Sequence, residues 1–269
     1  MLRGKMGIYA HKRLWLILMV IVFIFISQAE AQQIVEQGLI GYWSFDKSSI
    51  VGNTVKDVKG GHNGTIGGKP EIIQGKIKEA ISLNDNRQGD NIVIPEAPDL
   101  HTTKELTICL WINFRGTNAP NNWSCIIRKG HSEGANYFFG LWDLTNQVYM
   151  TFTPPWQDKQ SGLNVKVSDW SYIALRVNGA DAKVSFFVDG ATSEKPLGFN
   201  ALPDSNADVI ISAGIPSDAA DLNATIDELC LYNRFLSDDE IKQNQKATTG
   251  LAVNFEDKLA SFWGQVKIK

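Results

Sequence analysis

Short runs that alternate apolar and polar residues fill most of the chain between residues 39 and 233. In KVSFFVDG, residues 183–190, Val184, Phe186 and Val188 recur at every second position, as in a strand with one buried and one partly wet face. Gly, Pro, Asn or Asp bounds each run, and the runs recur about every ten residues, which predicts an all-β sandwich or barrel. The runs are GYWSFD (41–46), KIKEAISLND (76–85), DNIVIPE (90–96), LTICLWINF (106–114), SCIIRKG (124–130), NYFFGLW (136–142), QVYMTFT (147–153), WSYIALRVN (170–178), AKVSFFVDG (182–190), DVIISAG (208–214) and TIDELCLYN (225–233).

Helical periodicity is nearly absent until LSDDEIKQNQ, residues 236–245. Ser237 followed by Glu240 has the spacing of a capping box, and Ile241 supplies an apolar face. We therefore expect one short helix to close the domain near residue 248. The C-terminal tail, residues 249–269, follows a Thr-Thr-Gly break and either packs back on the domain or serves as a sorting or partner-docking segment.

The first 31 residues have the pattern of a secretory signal peptide. Lys12 and Arg13 precede the apolar run LWLILMVIVFIFI, residues 14–26, and residues 29–31 (AEA) supply a small-x-small cleavage pattern. The run is shorter than the roughly 20 residues that span a membrane, although a retained anchor is the alternative. We expect a protein that is secreted or held in the cell envelope, with a mature chain that starts at Gln32 and meets the membrane only through the signal peptide.

The charge balance argues against nucleic acid as a partner. The chain has 26 basic and 29 acidic side chains, and the first 31 residues hold four of the basic and one of the acidic ones. The mature chain therefore has 22 basic against 28 acidic side chains, a net charge of −6. No basic stripe remains that could bind phosphates.

Three cysteines, Cys109, Cys125 and Cys230, remain in the mature chain. In an oxidising compartment they allow one disulfide with one free thiol, or no disulfide at all, and the sequence does not choose the pair. Three cysteines are too few for a disulfide scaffold. The fold is therefore expected to depend on its apolar core.

Several catalytic signatures are missing from the sequence. The four histidines form no H-E-x-x-H motif, and Gly75-Lys76 is followed by Ile77 instead of the Ser or Thr of a phosphate-binding loop. Glycan hydrolysis needs two carboxyl groups that face one cleft. The adjacent acids Asp227 and Glu228 lie in a strand run, where neighbouring side chains are expected to point to opposite faces. The protein is therefore not predicted to be an enzyme.

Six motifs in a fixed order resemble the laminin-G-like (concanavalin A-like lectin-glucanase) jelly-roll domains of secreted bacterial proteins. They are GYWSFD (41–46), DVKGGHNGTI (57–66), ELTICLWIN (105–113), DWSYIAL (169–175), FFVDG (186–190) and TIDELCLYNRFLSDDEI (225–241). The resemblance covers roughly residues 36–246. It implies an antiparallel two-sheet jelly-roll β-sandwich over residues 32–248, with one short C-terminal helix.

The resemblance also implies that acidic residues from distant parts of the chain meet. The first and last strands of such domains lie side by side, so Asp46 is expected near Asp227, with the loop of residues 57–64 folded over the gap. Carboxylates and turn carbonyls around one point suit calcium, and we predict that Asp46, Asp57 and Asp227 bind a structural Ca²⁺. The alternative is that these acids bond backbone amides at turns and strand ends. Ala224 stands where the family usually has glycine, so the local backbone is expected to differ.

A ligand site is implied on one sheet face and on the loops at its rim. Trp123, Trp142, Asp143 and Trp156 occur in the polar contexts PNNWS, GLWDL and PPWQD. Tryptophan rings stack on the apolar faces of sugar rings, and aspartate oxygens accept hydrogen bonds from hydroxyl groups. These four residues are our candidates for glycan binding. The alternative is that the aromatic side chains are lids buried over the sandwich.

We therefore expect a secreted, non-catalytic, lectin-like module that binds a glycan or polysaccharide and is stabilised by calcium. The second hypothesis is an adhesion module that binds a cell-surface protein through the same loops. The third hypothesis is a glycan-cleaving enzyme. It is disfavoured because the E-x-D-x-x-E strand of the sandwich glucanases does not occur in the sequence.

Overall fold

The computed structural model of the chain describes residues 32–84, 89–116, 123–130, 135–142, 144–212, 222–248 and 251. The predicted signal peptide, the candidate residue Asp143 and nearly all of the tail after residue 248 lie outside the described residues. Within the described part, no helix has both the length and the apolar character that a membrane crossing needs.

Among the described residues, the first of two antiparallel sheets contains eight strands, and its central strands come from the most apolar runs of the sequence. β-Branched and aromatic residues favour such strands because they pack well on a pleated surface. In spatial order the strands are β15 (Ala191–Pro196), β14 (Lys183–Val188), β13 (Trp170–Asn178), β8 (Glu105–Phe114), β17 (Ala224–Tyr232), β6 (Glu79–Leu83) and β5 (Glu71–Gln74), and β1 (Leu39–Trp43) also pairs with β17.

The second sheet contains nine strands in the part of the chain that the structure describes. In spatial order they are β12 (Gln157–Asn164), β11 (Gln147–Phe152), β10 (Tyr137–Trp142), β9 (Trp123–Lys129), β16 (Val209–Ile211), β7 (Asn91–Ile94), β4 (Gly64–Gly67), β3 (Thr54–Val55) and β2 (Ile50–Val51). Short 3-10 helices span Lys47–Ser49 and Pro98–Leu100.

The main apolar core is built from the inward side chains of both sheets. Ile108 and Leu110 of β8 are fully buried in it, and so are Phe139 and Leu141 of β10. The residues between them point away from this core, as the two-residue period of a strand requires. The predicted antiparallel two-sheet sandwich is confirmed.

A second apolar cluster lies on the outward face of the first sheet, beside helix α1 (Asp238–Lys246). Ile241 of α1 and Trp111 of β8 both belong to it. The Ser237 side chain accepts a hydrogen bond from the backbone of Glu240, and the Glu240 carboxylate accepts one from the Ser237 backbone at 2.8 Å. The predicted short helix and its capping box are therefore confirmed.

The first and last strands are neighbours, as expected. β1 pairs antiparallel with β17, with Tyr42 opposite Cys230 and Trp43 opposite Leu229. This pairing brings the segment that follows β1 close to the turn between β5 and β6, where Lys78 contacts Asp46. The acidic residues singled out in the sequence lie at this corner of the sandwich.

Candidate functional site

A surface rich in aromatic side chains crosses strands β9 to β12 on the outward side of the second sheet. Three successive rows of register partners across the four strands are Trp123–Trp142–Gln147–Asn164, Cys125–Gly140–Tyr149–Gln160 and Arg128–Phe138–Thr151–Asp158. These positions alternate with core residues of the same strands, so their side chains point away from the core. We call this surface the aromatic face. Its rings lie mainly on β9 to β11, and β12 supplies amide and carboxylate groups.

Trp123 and Trp142 stack on each other at one end of the aromatic face. Their ring centroids are 5.1 Å apart and their planes are inclined by 28°. The ring of Tyr149 lies 4.8 Å from that of Trp123 and 5.7 Å from that of Phe138. Tyr149 and Phe138 are buried, whereas both tryptophans are partly exposed. A partly exposed indole pair therefore rests on a buried aromatic base.

Two polar atoms at the same end have no hydrogen-bond partner among the described residues. They are Nε1 of Trp142, which is a donor, and Oε1 of Gln147, which is an acceptor. The two residues are register partners in β10 and β11. Buried polar groups in folded proteins are nearly always paired. Both atoms are fully enclosed, so neither is available to a ligand in this conformation.

The structure brings two of the four predicted ligand residues together. Trp123 begins β9 and Trp142 ends β10, so both lie in strands and not in the loops where we expected them. Trp156 precedes β12 at the opposite end of the aromatic face, and it is 51% exposed. Its Nε1 donates to Oδ2 of Asp158 at 3.1 Å. The length of β11 separates the two ends by roughly 17 Å, at about 3.3 Å per residue.

Gly140 occupies the middle of the aromatic face for a steric reason. A Cβ atom at this position would lie 2.4 Å from the carbonyl oxygen of Ser124, 2.9 Å from the ring of Phe138 and 3.0 Å from the ring of Tyr149. Contacts shorter than the sum of van der Waals radii would force the strands or the rings apart. Because glycine has no side chain, the rings of Phe138 and Tyr149 and the backbone of Ser124 can approach this position closely.

Asp57 fixes the turn that follows β3. Its Oδ1 accepts hydrogen bonds from the amides of Tyr42 at 2.8 Å and Lys59 at 2.9 Å, and its Oδ2 accepts from the amides of residues 60–62, each at 3.1 Å. A carboxylate has about four lone-pair positions, so five amide donors saturate it. Asp57 therefore ties this turn to β1.

Asp46 pairs with a lysine at the same corner. Nζ of Lys78 lies 3.1 Å from Oδ2 of Asp46, and the amide of Glu79 donates to Oδ1 at 3.4 Å. The hydrogen bond and the negative charge of Asp46 raise the pKa of Lys78, and the charge of Glu228 adds to the effect. Lys78 has a φ of 53°, in the left-handed region that non-glycine residues seldom adopt. The backbone of the β5–β6 turn thus holds an ammonium group against these acids.

Asp227 and Glu228 lie on the same outward side of the first sheet, and the prediction that they point to opposite faces is wrong. Between Asp227 and Cys230 the strand β17 takes three steps while its partner β8 takes two, from residue 111 to residue 109. The extra residue is a β-bulge, and Glu228 within it has a φ of 55°. A bulge interrupts the alternation of side chains, which turns Glu228 to the side that Asp227 occupies.

Both of these carboxyl groups are enclosed, Asp227 with 0% and Glu228 with 4% of its surface exposed. Oδ2 of Asp227 accepts from the amides of residues 76 and 77, each at 2.9 Å, and its Oδ1 has no partner among the described residues. Glu228 accepts a hydrogen bond from the hydroxyl of Tyr42. Burial and the charges of Glu228 and Asp46 raise the pKa of Asp227 to about 8. Burial and the charge of Asp46 raise the pKa of Glu228 to about 7. Such a pair resembles the acids of hydrolases, but its enclosure gives a substrate no access.

These side chains do not fit the predicted calcium site. Calcium takes six to eight oxygen ligands, whereas both oxygens of Asp57 accept backbone amides and Asp46 faces the ammonium group of Lys78. Of the three predicted ligands, only Asp227 keeps an oxygen without a partner among the described residues. No group of three or more His, Cys, Asp or Glu side chains in the described ranges is arranged to hold a metal ion. The alternative interpretation, acids that bond backbone amides, describes Asp57 and Asp227.

Solved structures with a similar fold include a domain in complex with a sugar. Domain 4 of AbnA, a GH43 extracellular arabinanase from Geobacillus stearothermophilus, in complex with arabinotriose, matches with a TM-score of 0.61 and 19% identity over 78% of this chain and 98% of that one. The binding domain of Paraclostridial Mosquitocidal Protein 1 matches with a TM-score of 0.61 and 16% identity, over 77% of this chain and 51% of that one. Trypanosoma rangeli sialidase matches with a TM-score of 0.57 and 16% identity, over 80% of this chain and 33% of that one.

The chain thus spans about half of the toxin domain and a third of the sialidase, and these low identities show a shared fold alone. No curated protein sequence is similar to the chain at a significant level. Residues 86–242, more than half of the 269 residues, match a family described as the concanavalin A-like lectin/glucanases superfamily. The match includes all four strands of the aromatic face. The chain therefore belongs to the concanavalin A-like lectin/glucanases superfamily.

Proposed function

We propose that the chain is a non-catalytic carbohydrate-binding module and that its ligand binds on the aromatic face. The observation that carries the proposal is the partly exposed stack of Trp123 and Trp142, with ring centroids 5.1 Å apart. A flat, partly exposed indole surface is what binds the apolar face of a sugar ring, and its polar edge orients the hydroxyl groups. The buried rings of Phe138 and Tyr149 belong to the cluster on which this surface packs.

Polar groups beside the indole pair supply the hydrogen bonds that a sugar needs. Nε1 of Trp142 and Oε1 of Gln147 are enclosed, so the exposed amides of β12 supply these bonds. Asn164 lies in the same row and Gln160 in the next one, and both side chains are exposed on β12. Amides both donate and accept, so this edge can bond hydroxyl groups of either orientation. Asp143, next to Trp142 in the sequence, stays a candidate acceptor.

The size of the aromatic face favours an oligosaccharide or polysaccharide over a single sugar. Trp156 and Asp158 form a second aromatic and acidic pair at the end opposite Trp142, and they lie roughly 17 Å away at about 3.3 Å per strand residue. We assign this pair to a second subsite for a longer chain. The arabinanase domain of similar fold, solved with arabinotriose, makes arabinose-containing oligosaccharides the first ligands to test.

The proposal of a binding module without catalysis is supported by the position of the acidic pair. Asp227 and Glu228 belong to the first sheet, on the other side of the sandwich from the aromatic face, and they are almost fully enclosed. A sugar on the aromatic face would not reach them. The proposal that the protein is exported rests on the sequence of residues 1–31.

Binding by single tryptophan variants tests this function. Isothermal titration with arabinotriose, and with the glycan that binds best on an array, should show about tenfold weaker binding for Trp142→Ala, since a lost stacking contact of about 1.4 kcal/mol is a factor of ten. Trp123→Ala should behave similarly. Trp170→Ala is the matched control, because Trp170 is also partly exposed but lies in the first sheet.

Three outcomes would contradict the proposal. Equal losses in Trp142→Ala and Trp170→Ala would mean that binding is not on the aromatic face. Tight binding to a purified cell-surface protein, with no glycan bound, would favour the adhesion module. Release of reducing sugars from a polysaccharide by the wild-type protein would make it an enzyme.

A further inference from the structure

Two of the three cysteines are direct neighbours across a pair of strands. Cys109 of β8 and Cys230 of β17 are register partners in the first sheet. Opposite residues in an antiparallel pair have Cα atoms about 4.5 to 5.5 Å apart. A disulfide needs Cα atoms between about 4.4 and 6.8 Å apart, so the backbone already holds both residues at bonding distance.

The two thiols also point to the same side of the sheet. Both belong to the apolar cluster on its outward face, with 0% of Cys109 and 1% of Cys230 exposed. Nδ2 of Asn244, from helix α1, lies 3.5 Å from Sγ of Cys109, and the backbone oxygen of Glu228 lies 3.6 Å from Sγ of Cys230. Each of the two sulfur atoms thus has a polar neighbour.

Cys125 is excluded as a partner by its position. It lies in β9 of the second sheet and belongs to the separate cluster of the aromatic face. The main core of the sandwich lies between that face and the cysteine pair, so Cys125 can reach neither Cys109 nor Cys230 without unfolding. The structure therefore selects one pair among the three that the sequence left open.

We propose that Cys109 and Cys230 are a cross-strand dithiol that closes to a disulfide in the presence of a disulfide oxidant such as oxidised glutathione, and that Cys125 takes no part in a disulfide. One thiolate attacks the oxidant and releases one reduced glutathione, and the second thiolate attacks the mixed disulfide and releases the other. The two thiols lose two protons and two electrons, which reduce the S–S bond of the oxidant. Because both thiols are buried, the reaction takes place while the chain folds and before α1 covers them.

Thiol mapping after oxidative refolding tests the proposal. The reduced full-length chain is refolded in oxidised and reduced glutathione, unfolded, alkylated with iodoacetamide and weighed. We expect one alkylated cysteine, Cys125, and a non-reduced peptide map in which Cys109 is joined to Cys230. The Cys125→Ser variant should form the same bond and leave no free thiol. The Cys109→Ser variant should leave two alkylated thiols and no bond.

Two controls separate a failure to fold from a failure to form the disulfide. Circular dichroism confirms that each variant has refolded, and Cys230→Ala replaces Cys109→Ser if that variant does not fold. Three alkylated cysteines in correctly folded wild-type protein would overturn the proposal, and so would a bond that includes Cys125. A bond between Cys109 and Cys230 that raises the melting temperature over the reduced protein would establish it as part of the folded structure.

Discussion

Replacing Asp227 by asparagine is expected to stabilise the protein at alkaline pH. The carboxyl group of Asp227 is fully enclosed, and burial with the charges of Glu228 and Asp46 raises its pKa from 3.8 to about 8. The folded state therefore binds this proton more tightly than the unfolded state does. The stability that this proton contributes is present below pH 4 and is lost as the pH rises from about 4 to about 8.

The expected change in the free energy of unfolding follows from the size of the pKa shift of Asp227. A rise of about four pKa units corresponds to about 5 kcal/mol, at 1.36 kcal/mol per unit, between the acidic and the alkaline limits. Asparagine does not titrate, and its oxygen can still accept the amides of residues 76 and 77. The variant should therefore have nearly the stability of the wild type at pH 4 and exceed it by several kcal/mol at pH 9.

Urea unfolding followed by tryptophan fluorescence at pH 4, 7 and 9 measures this difference. Asp57→Asn is the matched control, because the Asp57 carboxylate accepts five amides and an NH₂ group there would face donors. That variant should lose about 1–3 kcal/mol across the whole pH range. A calcium-dependent loss of stability in Asp227→Asn at pH 9 would refute the reasoning and restore Asp227 as a metal ligand.

Three further predictions concern other parts of the protein. The melting temperature should be the same in calcium and in EDTA, because the oxygens of Asp57 and Asp46 are occupied by amides and by Lys78; a drop of several degrees in EDTA would contradict this. Gly140→Ala should cost about 1–3 kcal/mol in urea unfolding, since its Cβ atom would lie 2.4 Å from a backbone oxygen, and an unchanged midpoint would mean that the strands adapt freely. Mass spectrometry of exported protein should show a chain that starts at Gln32, whereas an intact Met1 would indicate an anchor.

The sandwich could be predicted because apolar alternation marks its central strands. β8 and β13 carry long apolar runs, and the capping-box spacing marked helix α1. The edge strands β12 (QDKQSGLN) and β15 (ATSEKP) were missed. Their residues are mostly polar and exposed, because an edge strand is held by backbone hydrogen bonds to one neighbour more than by burial, and hydrophobic patterning does not detect that.

The candidate site could be predicted in part. The polar contexts of Trp123 and Trp142 pointed to exposure, but their contact depends on the pairing of β9 with β10, which no local pattern specifies. Gln147 and Tyr149 were missed although the alternation in QVYMTF places both on one face of β11. Only the strand pairing shows that this face of β11 points outward, and both residues can be assigned to the site only with that information.

The approach of Asp46 to Asp227 was expected from the pairing of the first and last strands, but the orientation of Glu228 and the role of Lys78 were not, because the strand rule failed there for a physical reason. Alternation places Asp227 and Glu228 on opposite faces, and a single extra residue in β17 places them on the same face. Lys78 lies far from Asp46 in the sequence and reaches it through the β5–β6 turn. The amino-acid sequence alone carries no sign of either feature.

A glycan array run with the wild-type protein and with Trp142→Ala, each in calcium and in EDTA, tests the central claim most directly. Carbohydrate binding on the aromatic face predicts a defined set of bound glycans for the wild type, the same set in EDTA, and a strong loss of signal for Trp142→Ala while its fold is retained. An array with no bound glycan for correctly folded wild-type protein, or one that Trp142→Ala leaves unchanged, would contradict the account.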